Sequence, residues 1–240
     1  MKWITLACAA LVCTLPQAAH ALTIDFSQAG PPGNLGSSTY VNGPVSVGAF
    51  YLSGNSYTNA PDKNRPVTLF VRDEPFHDMG FGVCAPKEQS KRQCAFPNKY
   101  DGSGGHTNEL DNDGSKELLR LQLAPGWVWS SLTLSSLDKD EHGQLWYSDT
   151  PEFNKDLASF ARLYQAYDGT RQEWRDVSIL GDAADARYLY LLPGPKGSDN
   201  DHLLWLVTVS QITQVPEPGS VAFVVIGLGV LGATRLRRAA

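Results

Sequence analysis

The chain lacks most of the local signatures that mark an enzyme or a stable membrane protein. The uncharged stretch near the carboxyl end, Ser220 to Thr234, falls short of the roughly 20 apolar residues that a spanning helix needs, so it would hold a bilayer only marginally. Histidine is sparse, five in 240 residues. Of these, His77, His106, His142 and His202 are scattered through Asp- or Gly-rich surroundings. Neither His-Glu-x-x-His nor Gly-x-Ser-x-Gly occurs, which removes the local marks of zinc hydrolysis and of a serine nucleophile elbow. The four cysteines form no Cys-x-x-Cys pair, so a redox couple is not indicated. Positive charge is not in excess either, with 20 Lys and Arg against 25 Asp and Glu. Setting aside Lys2, Arg235, Arg237, Arg238 and Glu217 at the two ends leaves a domain near −8, which argues against nucleic acid or anionic lipid as a partner. Helical periodicity is scarce, and no fixed-period repeat suggests a propeller or solenoid.

What is present begins at the amino terminus. Lys2 supplies a positive start, Ile4 to Leu15 an apolar stretch ended by Pro16, and Ala19-His20-Ala21 the small-x-small form of a signal peptidase site. Residues 1–21 therefore read as a signal peptide, and the mature chain is expected to begin at Leu22. Cys13 would suit a lipoprotein, but Leu11-Val12 lacks the small residue usually required beside the cysteine. Cys8 and Cys13 leave with the signal. Cys84 and Cys94 then remain in an oxidising compartment and are expected to form one disulfide. Closing that short loop constrains the unfolded chain by about 2 to 3 kcal/mol.

Residues 22–214 suffice for one all-β domain with a full core. Short β-branched and aromatic segments recur between clusters of Gly, Pro, Asn and Asp, which is the mark of a sandwich or barrel. Candidate strands are Leu22 to Phe26, Tyr40 to Tyr51 with a turn at Asn42-Gly43, Val67 to Val71, Gly80 to Cys84 and Glu117 to Leu123. Ser131 to Leu137, Gln144 to Tyr147, Ser159 to Tyr167, Glu173 to Leu180, Arg187 to Leu192 and Leu203 to Ile212 continue the series. Leu119, Leu121 and Leu123 alternate with Arg120 and Gln122, as a half-buried antiparallel strand requires. Asp168-Gly169 signals a hairpin pairing Arg162 to Tyr167 with the segment containing Trp174. The expected fold is all-β, a single antiparallel β-sandwich of jelly-roll-like form.

Two features of this domain carry ligand chemistry. Glu109, Asp111 and Asp113 precede Gly114 in the manner of the first half of a calcium loop. The twelfth position, where a bidentate carboxylate belongs, holds Arg120, so an EF-hand is not expected. A calcium site at a sandwich edge would add Glu117 and Asp138 or Asp140; a solvated glycine-rich turn is the competing reading. Asp138, Asp140, Glu141 and His142 likewise read first as a polar loop between strands. In Trp127-Val128-Trp129 an extended backbone points both rings the same way, giving either a sugar-stacking platform or core packing. Trp205 reads as core. Paired carboxylates from distant strands need no contiguous motif, so glycosidase chemistry has no local signature here, and no residue is assigned as catalytic.

At the carboxyl end, Val215-Pro216-Glu217-Pro218-Gly219-Ser220 leads into an uncharged stretch through Thr234, followed by Arg235-Leu236-Arg237-Arg238. The prolines oppose helix and central strand, so the domain should stop there. The apolar stretch with its basic end has the layout of a short membrane stop, with the arginines cytoplasmic. Residues 215–240 resemble the PEP-CTERM sorting signal of Gram-negative bacteria that make exopolysaccharide. The resemblance implies that an exosortase processes the chain at Pro216, Glu217 and Pro218 after transient anchoring in the inner membrane, with Arg235, Arg237 and Arg238 as the basic end. A second pattern, Gly80-Phe81-Gly82-Val83-Cys84, Asn108-Glu109-Leu110-Asp111-Asn112 and Glu117-Leu118-Leu119-Arg120-Leu121, resembles one that recurs in PEP-CTERM proteins of unassigned function. It implies a shared sandwich and no activity. The expectation is an exported surface or matrix protein, structural or adhesive in a biofilm or exopolysaccharide. A carbohydrate-binding module, calcium-dependent or not, is the alternative, and a polysaccharide-active enzyme the third reading.

Overall fold

The computed structural model describes residues 20–73, 79–87, 94, 110, 116–137, 143–153, 161–165, 174–194 and 202–212. Within them His20–Gln211 belongs to one unit. The strands are β1 (Ala21–Asp25), β2 (Gly33–Asn34), β3 (Thr39–Asn42), β4 (Val45–Ser53), β5 (Ser56–Thr58), β6 (Thr68–Asp73) and β7 (Met79–Cys84). They continue with β8 (Glu117–Leu123), β9 (Trp127–Ser135), β10 (Gly143–Ser148), β11 (Ala161–Gln165), β12 (Trp174–Ser178), β13 (Tyr188–Pro193) and β14 (Leu203–Gln211). A 3-10 turn at Phe26–Gln28, capped by the Asp25 side chain, and a single helical turn at Asp182–Asp185 are the named helical pieces among the described residues.

The strands form two seven-stranded sheets in which every pairing is antiparallel. Sheet A runs β12-β9-β14-β7-β6-β2, with β1 also on β14; sheet B runs β11-β10-β13-β8-β4-β3, with β5 on β4. This is the all-β, sandwich-like architecture that the strand pattern predicts. The Gly43-Pro44 turn joins β3 to β4 with Asn42 opposite Val45, and Gly43 takes the positive φ (57°) that a primed hairpin turn requires.

Period-two alternation puts one apolar face of each sheet into a common core. Val45, Val47 and Ala49 of β4 and Leu119, Leu121 and Leu123 of β8 meet Leu69 and Val71 of β6, Leu132 and Leu134 of β9, and Val207 and Val209 of β14. Gly80 is the tightest point of sheet A. Its φ is +119°, and a Cβ there would lie 2.2 Å from the Leu204 carbonyl oxygen of β14. Only glycine tolerates both the angle and the approach.

Two pairings depart from the sequence reading. Ala161–Gln165 pairs with β10 in sheet B, whereas Trp174–Ser178 pairs with β9 in sheet A, so these neighbours in sequence do not form a hairpin together. The two segments are edge strands of different sheets, and Asp168-Gly169 lies outside the described residues. Trp205 is half-buried rather than core, beside a register shift in β14 and edge-on to Trp174 with ring centroids 6.5 Å apart. Among the described residues no helix is long and apolar enough to cross a membrane.

Candidate functional site

The sequence-predicted residues fall into three groups. Cys84 and Cys94 are joined in a disulfide, with Cα atoms 5.9 Å apart, at the end of β7. Of the six carboxylates proposed for calcium, Glu117 is described: it opens β8 and is fully buried. Glu109, Asp111, Asp113, Asp138 and Asp140 lie outside the described residues, as do Ala19, Pro216, Glu217, Pro218, Arg235, Arg237 and Arg238. Among the described residues no three His, Cys, Asp or Glu side chains gather to hold a metal. Ala21 is the first residue of β1, opposite Ser210.

The tryptophan pair is corrected. Trp129 is 1% exposed, and its indole N–H donates to the Ala186 carbonyl at 2.8 Å. Trp127 is half-buried against the same core. The two rings do share one face of β9, but that face points inward, and burial removes Trp129 from any stacking role.

A different aromatic surface lies on the outer face of sheet B. Because Leu119, Leu189 and Leu145 face the core, their neighbours Leu118, Arg120, Tyr190 and Trp146 face outward. Strand register sets Gly48, Arg120, Tyr190 and Trp146 in one row across β4, β8, β13 and β10. Leu118, Tyr190, Leu192 and Phe153 form a second apolar cluster there, with Phe50, Tyr57, Trp146 and Tyr188 packed on it.

The segment 149–153 crosses this face and is fastened to it at four points. Arg120 Nη1 donates to the Pro151 carbonyl at 2.8 Å, and the Tyr190 hydroxyl donates to the Thr150 carbonyl. The Arg187 backbone N–H donates to Asp149 Oδ1 at 3.1 Å. Phe153 packs on Tyr190 and meets Tyr57 edge-on, with centroids 5.1 and 5.5 Å apart. The Arg120 guanidinium lies 4.6 Å from the Phe50 ring centre and 5.7 Å from that of Tyr188, so its charge is held by ring quadrupoles.

Between the strap and β5 opens a cleft of about 300 Å³, with Phe50, Tyr57, Phe153 and Leu118 as apolar walls and Arg120, Asn59 and Glu152 as polar groups. That volume is at the lower end of small-molecule sites, about 300 to 1,000 Å³. Burial, and then the Glu117 charge, push the Tyr57 hydroxyl up to about 12, so it stays a neutral donor and acceptor. Burial also raises Tyr190; Arg120 opposes that shift while Tyr188 and Glu152 add to it. Sequence reasoning missed this cleft because its walls come from segments around positions 50, 57, 118 and 153, joined by no motif.

At the far end of the chain, Pro216-Glu217-Pro218, the uncharged stretch and the arginine cluster lie within a region that matches a known family description, the PEP-CTERM protein-sorting motif, over residues 214–238. The chain carries a PEP-CTERM sorting motif. That motif implies export across the membrane and processing by an exosortase. No curated protein matches the chain, so the PEP-CTERM motif speaks for the tail and the sandwich must be read from its own surface.

Proposed function

We propose that this chain is an exported, non-catalytic component of the cell surface or of a polysaccharide matrix, delivered by its PEP-CTERM tail. In this reading signal peptidase cuts after Ala21, and exosortase cuts at Pro216 to Pro218 while residues 220–234 rest in the inner membrane. The jelly-roll-like sandwich is then left outside as a structural or adhesive unit. The observation that carries the reading is the sorting motif at residues 214–238. A disulfide-closed all-β domain is consistent with it, since such bonds persist in oxidising compartments.

Cleavage after Ala21 is compatible with the sheet. It removes the Ala21–Ser210 position and the His20 carbonyl that accepts from Gln211, and leaves Leu22 to Asp25 paired with β14. Mass spectrometry of the mature protein from its own host tests the scheme. Expected are Leu22 at the start, a Cys84–Cys94 bridge and an end near Pro216 to Pro218; an intact Ala240 in the extracellular pool rejects it.

Carbohydrate binding is the second reading, and the outer-face cleft favours it: flat aromatic walls beside unspent hydrogen-bonding groups suit a sugar. Calcium at Glu109, Asp111, Asp113, Glu117, Asp138 and Asp140 would serve such a domain as a structural cofactor. Calorimetry in millimolar calcium decides this, and absence of both heat and thermal stabilisation ends it.

A further inference from the structure

We infer that the cleft over sheet B is a subsite for one neutral pyranose ring, an inference that rests on the carbohydrate-binding reading of the domain. Three observations point to this ligand chemistry. The first is the mixture of walls. Tyr57 and Phe50 are half-buried aromatics, so each keeps part of its ring open to the cleft. The apolar C–H side of a sugar ring can lie against such surfaces, whose negative faces attract partly positive hydrogens.

The second is unspent polar capacity. The Tyr57 hydroxyl, the Asn59 amide and the Glu152 carboxylate hydrogen-bond to no other group among the described residues, and Arg120 spends one N–H on the Pro151 carbonyl and keeps others. Ring hydroxyls both donate and accept, and this set offers both. The third is charge. Arg120 and Glu152 bring opposite charges into one small cleft, so the site as a whole matches a neutral ligand better than a uronate or a cation. The strap keeps these groups in place before any ligand arrives, since Arg120 and Tyr190 hold the carbonyls of Pro151 and Thr150. A site already arranged spends less of its interaction energy on ordering.

The test uses the full chain in mild detergent against neutral gluco-, manno- and galacto-oligosaccharides and against uronic acid oligomers, read by calorimetry. Binding of a neutral oligosaccharide, weakened about tenfold or more in Tyr57→Ala and in Asn59→Ala, supports the assignment. Asn59 and Glu152 are exposed, so N59A and E152A should unfold at the parent temperature, and their binding defects cannot come from misfolding. Neutral-sugar binding unchanged in Y57A, N59A and E152A overturns the cleft while leaving the carbohydrate reading intact. Preference for the uronic acid oligomers overturns the neutral-ring assignment. Absence of binding to every sugar at millimolar concentration overturns the cleft and the carbohydrate reading together.

Discussion

Along β1, β14, β9 and β12 of sheet A, outward positions carry short hydroxyl side chains paired across strands, Thr23 with Thr208 at 3.0 Å and Ser130 with Ser210 at 2.9 Å, and Thr133 donates to Asp176 at 2.6 Å, with Trp174 and Trp205 edge-on to each other at one end. On sheet B the outward positions carry Phe50, Arg120, Tyr190 and Trp146, with a strap laid over them. The inner faces of both sheets are alike because they share one core. Core formation sets few demands on an outer face, so the contrast between these two shows where recognition can be placed. Where β1, β14 and β9 run side by side the hydroxyl pairs satisfy each other, whereas on sheet B an aromatic field under a strap makes a concave surface.

The largest expected effect would abolish the comparison by removing sheet A. Gly80→Ala drives a Cβ into the Leu204 carbonyl at a positive φ, and a loss of the order of 4 kcal/mol should appear as a lowered denaturation midpoint. Retention of the parent midpoint would mean that β7 and β14 do not approach as described.

Next comes acid. His202, immediately before β14, is fully buried, has no hydrogen-bond partner on either ring nitrogen among the described residues, and burial lowers its pKa to about 3. Above the unfolded value of about 6.5 the ring is neutral in both states and its full contribution to stability is present. As pH falls from about 6.5 towards 3, the unfolded chain takes a proton that the folded chain refuses, so stability falls by up to about 1.4 kcal/mol per pH unit. Denaturant midpoints measured across that window should decline in the parent and decline less steeply in His202→Leu; parallel slopes would remove His202 from the account.

On sheet B, Arg120→Ala loses the Pro151 hydrogen bond and both ring contacts, and should cost about 2 kcal/mol. Tyr190→Phe loses the bond to the Thr150 carbonyl and should cost about 1 kcal/mol. Proteolysis within the strap should accelerate in both, and unchanged cleavage would show that other contacts hold it. The smallest effect belongs to the hydroxyl face: Thr23→Ala should change thermal stability by less than about 0.5 kcal/mol, because water replaces the lost partner. A loss as large as that in Arg120→Ala would erase the distinction between the two faces.

Half-buried strands were legible wherever one face alone is apolar. Leu119, Leu121 and Leu123 alternate with Arg120 and Gln122, and the structure turns the leucines inward. Where both faces are apolar, periodicity is silent. Tyr188-Leu189-Tyr190-Leu191-Leu192 reads as a plain apolar run, and nothing in it announces that Leu189 and Leu191 enter one cluster while Tyr190 and Leu192 enter another. The tryptophan pair was the opposite case: Trp127 and Trp129 are conspicuous because they are adjacent, but burial depends on which side of β9 faces the core. Register is equally invisible locally, since Gly48, Arg120, Tyr190 and Trp146 are brought level by pairings far apart in sequence. The Asp168-Gly169 signal gave no warning that Ala161–Gln165 and Trp174–Ser178 belong to different sheets, because a turn signal carries no information on which sheet each flanking segment joins. Strands β2 and β5 span two and three residues and are too short for a pattern to show.

β14, the last strand among the described residues, lies in the interior of sheet A, with β9 on one side and both β7 and β1 on the other. A polypeptide that crosses a membrane from its amino-terminal side cannot insert that strand until nearly all of the domain has crossed. The sheet thus has a timetable: its first and last strands are neighbours, and their pairing waits for the passage of everything between them.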